Sequence, residues 1–341
     1  MNIAVVGATG QVGGVIRALL IERCFPVKKI RFFASSRSAG STISWQDHQI
    51  IVEDVENANW NGVDIALVSA GKEASLEYAD SITSTGAVVV DNSSGWRMDP
   101  EVPLVVPEVN AVELNNIPKG IVANPNCTTM VAMPVLAPLH TESGLISLTV
   151  STYQAVSGAG LAGVEELSNQ VEFASREASS LTHNGQAINF GEPKSFPKAI
   201  AFNVLPQAGK FVDDGRNETD EEQKLRNETK KILNIPDLAV SSTCVRVPVF
   251  TGHSLTINAQ FSRELTPSRA KEILTTSPGV KIVDLPTPIE AVGGDTTLVG
   301  RIRQDETVEN GLSLFISGDN LRKGAALNAI QIAEELIKRR F

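Results

Sequence analysis

The chain contains little of what builds disulfide frameworks or membrane spans. Its 341 residues include three cysteines, too few for a disulfide scaffold at this length, so we expect a reducing compartment. No apolar run approaches the roughly 20 residues that cross a bilayer. The first segment, MNIAVVGATG, lacks the basic and apolar regions of a signal peptide. We therefore expect a cytoplasmic protein without a membrane partner.

Positive charge is also scarce. Lys and Arg number 30 against 39 Asp and Glu, which gives a formal net charge of −9. This balance argues against a nucleic-acid partner, because phosphate backbones require a basic surface, although it leaves room for a local anion site. With 42% hydrophobic and 20% charged residues, the chain is otherwise typical of a globular protein long enough for two domains.

The order of predicted elements indicates an α/β protein. Short apolar runs alternate with helical patterns in the first third, which is typical of a doubly wound, Rossmann-like parallel sheet. After Cys127 the strands become half-polar and the helices charged, which favours a second sheet that is mixed or antiparallel, and we predict a mixed one. We assign residues 1–126 and the amphipathic C-terminal helix within 321–341 to a dinucleotide-binding domain, and 127–320 to a second domain.

A glycine-rich turn directly follows the first predicted strand and opens a helix. Its spacing, G-x-x-G-x-x-G, is a variant of the dinucleotide fingerprint. Glycine lets the backbone approach a pyrophosphate, whose charge the N–H groups of the helix attract. A tight turn without a ligand is the alternative, but the strand–turn–helix context favours nucleotide binding. The predicted cofactor contacts in this turn are Gly7, Thr9, Gly10, Gln11 and Val12.

The end of the second predicted strand bears on the choice of nucleotide. NAD-binding chains commonly place an acidic residue about 20 residues after the glycines, where it bonds the ribose 2′-hydroxyl. Here the strand ends in Ser35, Ser36, Arg37 and Ser38, whose hydroxyls and guanidinium suit a 2′-phosphate. A solvated turn with an incidental arginine is the alternative. We predict NADP as the cofactor.

Cys127 lies in the segment NPNCTT, between a predicted strand and a predicted helix. Ligands of doubly wound sheets bind beyond the carboxyl ends of strands, and the positive end of a helix favours a thiolate. Cysteines in such settings have pKa values lowered to about 3.5–7.5, which makes them nucleophilic at neutral pH. Burial as a small core residue is the alternative, and we assign it to Cys24 and Cys244 only.

A cysteine nucleophile needs a partner that handles protons, typically histidine. Of the four histidines, His253 begins a regular strand of the second domain, whereas His48, His140 and His183 lie in polar loops or at a helix end. His253 is therefore the candidate partner. Arg246 interrupts the apolar strand CVRVPVF, where its side chain either reaches solvent or meets a carboxylate in a cleft, and we favour the cleft.

Seven segments together resemble one family. The glycine loop, DNSSGWR, VPEVN, NPNCTT, YQAVSGAG, NETDEEQKL and RVPVFTGHS are similar, in order and over nearly the whole chain, to bacterial aspartate-β-semialdehyde dehydrogenase. The resemblance implies a reversible, NADPH-dependent reduction of L-aspartyl-4-phosphate to L-aspartate-4-semialdehyde through a thioacyl intermediate on Cys127. It places this reaction in the biosynthesis of lysine, threonine, methionine and diaminopimelate. It also implies a homodimer formed through a catalytic and dimerisation domain at 127–320, and no metal ion.

The resemblance assigns roles to residues around Cys127 and the cofactor. His253 would be the acid/base, Gln154 would orient the substrate, and Asn126 would help to frame the oxygen near Cys127. The contacts on the nicotinamide side would be Ser157, Gly158 and Asn320.

The resemblance also implies how the substrate is bound. Arg246 would grip the α-carboxylate in a bidentate contact, and Glu221 would accept from the α-ammonium group. Arg97 and Lys224 would hold the phosphate. From composition alone, Glu221 and Lys224 would be a solvent-facing ion pair on a charged helix, and Arg97 a loop residue.

Three alternatives compete with this interpretation. N-acetyl-γ-glutamyl-phosphate reductase shares the cysteine chemistry, but its cysteine motif usually reads Gly-Cys-Tyr-Pro-Thr. Glyceraldehyde-phosphate dehydrogenase would have Cys-Thr-Thr-Asn-Cys, which NPNCTT does not match. A catalytically inactive paralogue would have lost the cysteine or the histidine, and both are present.

Overall fold

The computed structural model describes residues 1–340 and divides into two compact units. The first unit comprises Met1–Ala137, Asn227–Pro236 and the described chain from Leu321 onward, and the second comprises Pro138–Arg226 and Asp237–Asn320. The functional division at residues 126 and 320 remains a prediction. Among residues 1–340, no helix combines the length and apolar character needed to cross a membrane.

The strands of the first unit are short and apolar. Their bounds are Asn2–Val6 (β1), Lys29–Ala34 (β2), Thr42–Trp45 (β3), His48–Asp54 (β4), Ile65–Val68 (β5), Val88–Asp91 (β6) and Ile121–Ala123 (β7). Within the described residues they form one sheet in the order β3-β4-β2-β1-β5-β6-β7. Only the edge pair β3 and β4 is antiparallel in this part of the chain. The predicted doubly wound parallel sheet is confirmed.

A second sheet forms the centre of the second unit. Its strands are Leu145–Gln154 (β8), Ala239–Arg246 (β9), His253–Phe261 (β10), Val280–Ile282 (β11), Thr297–Asp305 (β12) and Gly311–Gly318 (β13). Their order is β11-β12-β13-β10-β8-β9, with both parallel and antiparallel pairs. Buried and exposed residues alternate along β8, as expected for a half-solvated strand. The predicted mixed sheet is confirmed.

The helices include the predicted amphipathic C-terminal helix. Within residues 1–340 they are Gln11–Glu22 (α1), Lys72–Thr83 (α2), Pro107–Asn110 (α3), Cys127–Ser143 (α4), Leu161–Ala174 (α5), Asp220–Leu233 (α6), Pro267–Thr276 (α7), Pro288–Ala291 (α8) and Leu327–Arg340 (α9). Three acidic residues open α6 and two lysines close it, which suits the helix dipole. A turn of π-helix at Arg322–Ala326 precedes α9.

The core of the first unit lies between its sheet and the helices α1 and α9. Ile3 and Leu67 of the sheet are almost completely buried, as are Leu19 of α1 and Ile330 of α9. The apolar stripe of α9 recurs every three or four residues, so one face of the helix covers the sheet. The C-terminal helix thus completes the unit that carries the glycine turn.

The register of the second sheet collects three predicted site residues at one end. Gln154, the last residue of β8, pairs with Arg246, the last residue of β9. His253 begins β10, which runs antiparallel to β8 and pairs Ser254 with Tyr153. Because β8 and β9 end where β10 begins, these three residues lie at the same end of the sheet.

Candidate active site

The glycine turn of the first unit is tightly closed. The N–H groups of Gly7 and Ala8 donate to the carbonyl oxygen of Phe33 over 2.9 and 3.1 Å. Gly7 has a φ of +80°, and a Cβ atom there would lie 2.3 Å from the carbonyl oxygen of Ser69. A Cβ atom at Gly13 would lie 2.2 Å from the carbonyl oxygen of Gly7. Only glycine fits at both positions, so the turn has the form that brings backbone close to a pyrophosphate.

The predicted nucleotide contacts lie on accessible backbone. Thr9 and Gly10 are exposed, and α1 begins directly after them, where the first N–H groups of a helix have no partner within the helix. Beyond β2, the N–H of Ser38 donates to the carbonyl oxygen of Ser35 over 2.9 Å. This turn leaves Ser35, Ser36 and Arg37 exposed. Both turns fit the groups of a dinucleotide, while their individual roles remain predictions.

Cys127 is the first residue of α4, and its neighbour caps that helix. The Oδ1 atom of Asn126 accepts from the backbone N–H of Thr128 at 3.0 Å and from the hydroxyl of Thr128 at 2.5 Å. An asparagine that accepts from the N–H two residues on is a strong N-cap. Cys127 is half-buried and sits where the helix dipole favours negative charge. The role of Asn126 at a substrate oxygen remains a prediction.

A buried ion pair holds the turn that precedes Cys127. Glu228 accepts from the backbone N–H of Asn126 at 2.6 Å and from Nη1 of Arg97 at 3.0 Å. Arg97 also donates through Nε to the carbonyl oxygen of Asn124 and through Nη2 to that of Asn92, over 2.8 and 3.1 Å. Arg97 and Glu228 are 8% and 2% exposed. The structure thus gives Arg97 an anchoring role, and its predicted contact with phosphate remains untested.

The π-helical turn Arg322–Ala326 lies against Cys127. A Cβ atom at Gly324 would come within 3.0 Å of the Cβ atom of Cys127, so the backbone approaches the cysteine more closely than another residue would allow. The carbonyl oxygen of Ala325 accepts from Nδ2 of Asn124 at 3.2 Å. The π-helical turn and the ion pair of Arg97 and Glu228 therefore both contact the segment that contains Cys127.

His253 of the second unit is fully buried and anchored by one backbone group. The N–H of Ala155 donates to its Nδ1 atom over 3.0 Å, so the neutral ring carries its hydrogen on Nε2. Among residues 1–340, Nε2 has no hydrogen-bond partner. Burial, followed by the positive charge of Arg246, holds the pKa of His253 well below 6.5, against a weaker opposite effect of the Gly252 backbone. His253 is therefore neutral at pH 7.

Arg246 and His253 converge on a residue without a side chain. Nη1 of Arg246 donates to the carbonyl oxygen of Ala155 over 2.7 Å. A Cβ atom at Gly158 would lie 2.9 Å from this Nη1 atom and 3.1 Å from Nε2 of His253. Arg246 is 6% exposed, so its guanidinium does not reach into solvent, and the alternative of a snorkelling arginine is wrong.

Gln154, Glu221 and Lys224 form a chain of hydrogen bonds. Nε2 of Gln154 donates to Glu221 at 3.2 Å, and Nζ of Lys224 donates to Glu221 at 3.2 Å and to Asp220 at 2.6 Å. Burial alone would lower the pKa of Lys224, but the two carboxylates outweigh it and raise this pKa. In the described chain the Oε1 atom of the buried Gln154 has no partner. The predicted residues are thus brought together within the second unit.

Ser157 and Asn320 form a separate pair in the same unit. Nδ2 of Asn320 donates to the hydroxyl of Ser157 at 2.9 Å, and Oδ1 of Asn320 accepts from the N–H of Gly252 at 2.8 Å. Both residues are buried. Their predicted contact with nicotinamide remains a prediction, as does that of Gly158. Among residues 1–340, no three His, Cys, Asp or Glu side chains are placed to hold a metal ion.

Glu228 and Gly324 are among the residues of this arrangement that were not predicted. Glu228 lies in the charged sequence of α6, where composition favours a solvated carboxylate, although its spacing of seven from Glu221 places both on one helix face. Gly324 lies in the segment LRKGAALN, whose sequence is typical of an ordinary helix that contains one glycine. Neither residue has a local signal for its role, because each acts through a contact distant in sequence.

Two family models cover most of the chain. One, described as "Semialdehyde dehydrogenase, NAD binding domain", matches residues 2–117, and the other, "Semialdehyde dehydrogenase, dimerisation domain", matches residues 136–323. A protein of Streptomyces akiyoshiensis named aspartate-semialdehyde dehydrogenase is 60% identical over 334 residues, which cover 98% of each chain. The chain belongs to the aspartate-semialdehyde dehydrogenase family. It is an oxidoreductase, and the resemblance noted in the sequence is confirmed.

Solved structures of this family share the fold over the full length. The chain is similar to the Vibrio cholerae aspartate semialdehyde dehydrogenase II complexed with ASA, at a TM-score of 0.92, with 40% identity and coverage of 100% and 99% of the two chains. It is also similar to the aspartate semialdehyde dehydrogenase with NADP from Candida albicans, at a TM-score of 0.72, with 25% identity and 98% of each chain covered. Cys127 lies in the segment between the two matched domain models.

Proposed function

We propose that this enzyme catalyses the reversible, NADPH-dependent reduction of L-aspartyl-4-phosphate to L-aspartate-4-semialdehyde, with release of inorganic phosphate. The observation that carries the proposal is the Asn-capped Cys127 at the start of α4, in a chain 60% identical to a named aspartate-semialdehyde dehydrogenase. The reaction belongs to the biosynthesis of the aspartate-family amino acids lysine, threonine and methionine, and of diaminopimelate. The cytoplasm is its proposed location.

Cys127 acts as the nucleophile. Its sulfur attacks the acyl carbon of the acyl phosphate, the bond from that carbon to the phosphate oxygen breaks, and inorganic phosphate leaves a thioacyl enzyme. The nicotinamide cofactor, when bound, supplies the hydride that reduces this thioester. Collapse of the resulting tetrahedral species releases the aldehyde and restores the thiol, with one proton consumed overall.

His253 acts as the acid/base on the substrate oxygen. Its neutral ring presents an N–H at Nε2, which donates to the oxygen as negative charge develops there. For the same residue to accept a proton at Nε2 from the oxygen or the thiol in the aldehyde-oxidising direction, its ring would have to change tautomer and give up the contact with the N–H of Ala155. Gln154 orients the acyl group, and Asn126 contributes beside Cys127.

The substrate and phosphate are bound by charged residues. Arg246 binds the α-carboxylate because the N–H groups of its planar guanidinium can donate to both oxygens. Glu221 binds the α-ammonium group. Lys224 and Arg97 bind the phosphate. The carboxylates beside Lys224 raise its pKa and so keep it positively charged.

The proposed cofactor is NADP, and the proposed assembly is a homodimer. The exposed Ser35, Ser36 and Arg37 follow β2 without an acidic residue among them, which suits a 2′-phosphate. The Candida albicans relative was solved with NADP. The match of residues 136–323 to a dimerisation domain supports the homodimer.

The test is an assay of the purified protein in the aldehyde-oxidising direction. We expect NADPH to form from L-aspartate-4-semialdehyde and NADP only when phosphate or arsenate is present, because one of these must release the acyl group from the thioester. Replacing NADP by NAD is expected to lower kcat/KM. Absence of signal with this aldehyde, together with activity on N-acetylglutamate semialdehyde, would contradict the proposal.

A further inference from the structure

Lys323 and Glu108 form a buried charged pair that the proposed reaction does not use. Nζ of Lys323 donates to Oε1 of Glu108, and the two side chains are 0% and 8% exposed. Glu108 lies in the short helix α3, and Lys323 lies in the π-helical turn Arg322–Ala326 before α9, both within the first unit. A lysine without exposed surface is unusual, because burying an ammonium group costs free energy unless the charge is paired.

The network around this pair is a poor source of stability. Oε1 of Glu108 also accepts from Nε2 of Gln331 on α9, at 3.0 Å. Among residues 1–340, neither Oε2 of Glu108 nor Oε1 of Gln331 has a hydrogen-bond partner. Such buried oxygens are costly, and a buried ion pair often stabilises no more than apolar side chains of similar volume. What such a pair can provide instead is a fixed local geometry.

The geometry that the pair fixes is that of the π-helical turn. In this turn the N–H of Ala326 donates over 3.0 Å to the carbonyl oxygen of Leu321, five residues earlier, whereas an α-helix bonds residues four apart. Glu108 bonds Lys323 in the turn and Gln331 on the helix that follows it. The carboxylate of Glu108 therefore holds the turn in place relative to α9.

The residue after Lys323 packs against Cys127. A Cβ atom at Gly324 would lie 3.0 Å from the Cβ atom of Cys127 and 3.3 Å from its Cα atom and its carbonyl oxygen. The carbonyl oxygen of Ala325 accepts at 3.2 Å from Nδ2 of Asn124, three residues before the cysteine. A shift of the π-helical turn would therefore alter the contacts that position Cys127.

We propose that Lys323, held by Glu108, is a positioning residue for Cys127. Through the backbone of Gly324, the π-helical turn places the sulfur of Cys127 for its attack on the acyl carbon. Misplacing a reacting atom by about 1 Å costs up to about 100-fold in rate. The attack itself rests on the proposed function, whereas the placement of the sulfur does not depend on the identity of the substrate.

The variant that tests this proposal is Lys323→Met, which removes the charge and keeps an unbranched side chain. We expect kcat for the oxidation of L-aspartate-4-semialdehyde to fall about 10–100-fold. The KM for this aldehyde and the Kd for NADPH, measured by fluorescence titration, are expected to stay within about twofold. A loss of stability alone would leave kcat unchanged at temperatures where circular dichroism shows the variant to be folded.

A second measurement follows the cysteine directly and needs no substrate. The rate constant for alkylation of Cys127 by iodoacetamide is read by peptide mass spectrometry. We expect it to fall about 2–5-fold in Lys323→Met, because the sulfur moves from the start of α4, where the helix dipole favours a thiolate.

Two further variants complete the experiment. Lys338→Met is the matched control, because it makes the same change on α9 in an ion pair whose lysine is 68% exposed, and we expect it to match the wild type in every measurement. The double variant Lys323→Met/Glu108→Gln leaves neither charge of the pair, so we expect it to fold even if Lys323→Met does not. It should show the same losses of kcat and of alkylation rate.

Every other outcome contradicts the proposal or the proposed function. With an active wild type the proposal requires both losses, so an unchanged kcat or an unchanged alkylation rate in the folded variants would overturn it. Failure of both Lys323 variants to fold would give the pair a role in the fold as a whole and would overturn it as well. A wild-type enzyme that does not oxidise the aldehyde would overturn the proposed function, and the alkylation of Cys127 would then decide the role of Lys323.

Discussion

The two units of this enzyme hold their proposed reactive groups in different ways. In the first unit, Glu228 and Arg97 are buried as an ion pair and bond backbone atoms of the turn before Cys127. In the second, the backbone of Ala155 bonds both Arg246 and His253, and the neighbouring ion pair of Glu221 and Lys224 is partly exposed.

This difference follows from what each group has to do. A nucleophile must be placed accurately along its line of attack, so rigid anchoring of the backbone around Cys127 is useful. A binding or proton-donating group must keep hydrogen-bonding capacity for the substrate, so Nε2 of His253 is left without a protein partner among the described residues. The ion pair of the first unit thus anchors the backbone, in addition to the phosphate contact proposed for Arg97, whereas the charges of the second unit are proposed to bind the substrate.

The largest expected effect is that of Cys127→Ala. If the contacts of Arg97 and Glu228 serve to position this thiol, removing the thiol lowers kcat by roughly 10⁴-fold or more, as for other covalent nucleophiles. NADPH binding is expected to persist, because the glycine turn bonds the carbonyl oxygen of Phe33 through the N–H groups of Gly7 and Ala8 and does not bond the cysteine. Steady-state kinetics and fluorescence titration measure the two quantities. Cys24→Ala is the control, because Cys24 is exposed and the burial expected for it from the sequence was wrong. Substantial activity of Cys127→Ala would remove the nucleophile assignment.

The extent to which this site could be predicted depended on the range of the interactions. The glycine turn and the strand-to-helix corner at Cys127 are local, so a few consecutive residues were enough to predict them, although the cap that Asn126 provides was not predicted. Glu228 could not be recognised, since its role needs Arg97, which is 131 residues away. The mixed second sheet was predicted from alternation along its strands, but the placement of Arg246 beside Gly158 requires the register of β8 and β9.

A smaller effect separates the two ion pairs on α6. Glu228→Gln leaves the buried Arg97 without its counter-charge and gives Asn126 a poorer acceptor, so the free energy of unfolding is expected to fall by about 3 kcal/mol. Glu221→Gln is the matched control on the same helix. Because Glu221 and Lys224 are 12% and 25% exposed, we expect a loss below about 1 kcal/mol, with a raised KM for the aldehyde. Urea unfolding of both variants measures the difference, and equal losses would mean that burial does not distinguish the pairs.

The smallest expected effect is the dependence of stability on pH that His253 introduces. Burial holds its pKa below 6.5 in the folded enzyme, whereas the unfolded chain has a histidine pKa of about 6.5. Below about pH 6.5 the unfolded chain therefore binds more protons, and stability falls by up to about 1.4 kcal/mol per pH unit. Above about pH 6.5, His253 does not make the stability depend on pH.

His253→Asn should remove this slope while shifting stability by a constant amount at higher pH. The comparison is made by urea unfolding at pH values from about 7.5 to about 5.5, above the range in which ordinary carboxylates titrate. His140, whose pKa is also lowered by burial, adds a slope of the same sign, so His140→Asn is measured beside it and is expected to change the slope less because this residue is only half-buried. Parallel curves for the wild type and His253→Asn would mean that His253 is not held neutral by its burial, and its assignment as a neutral donor at Nε2 would then be wrong.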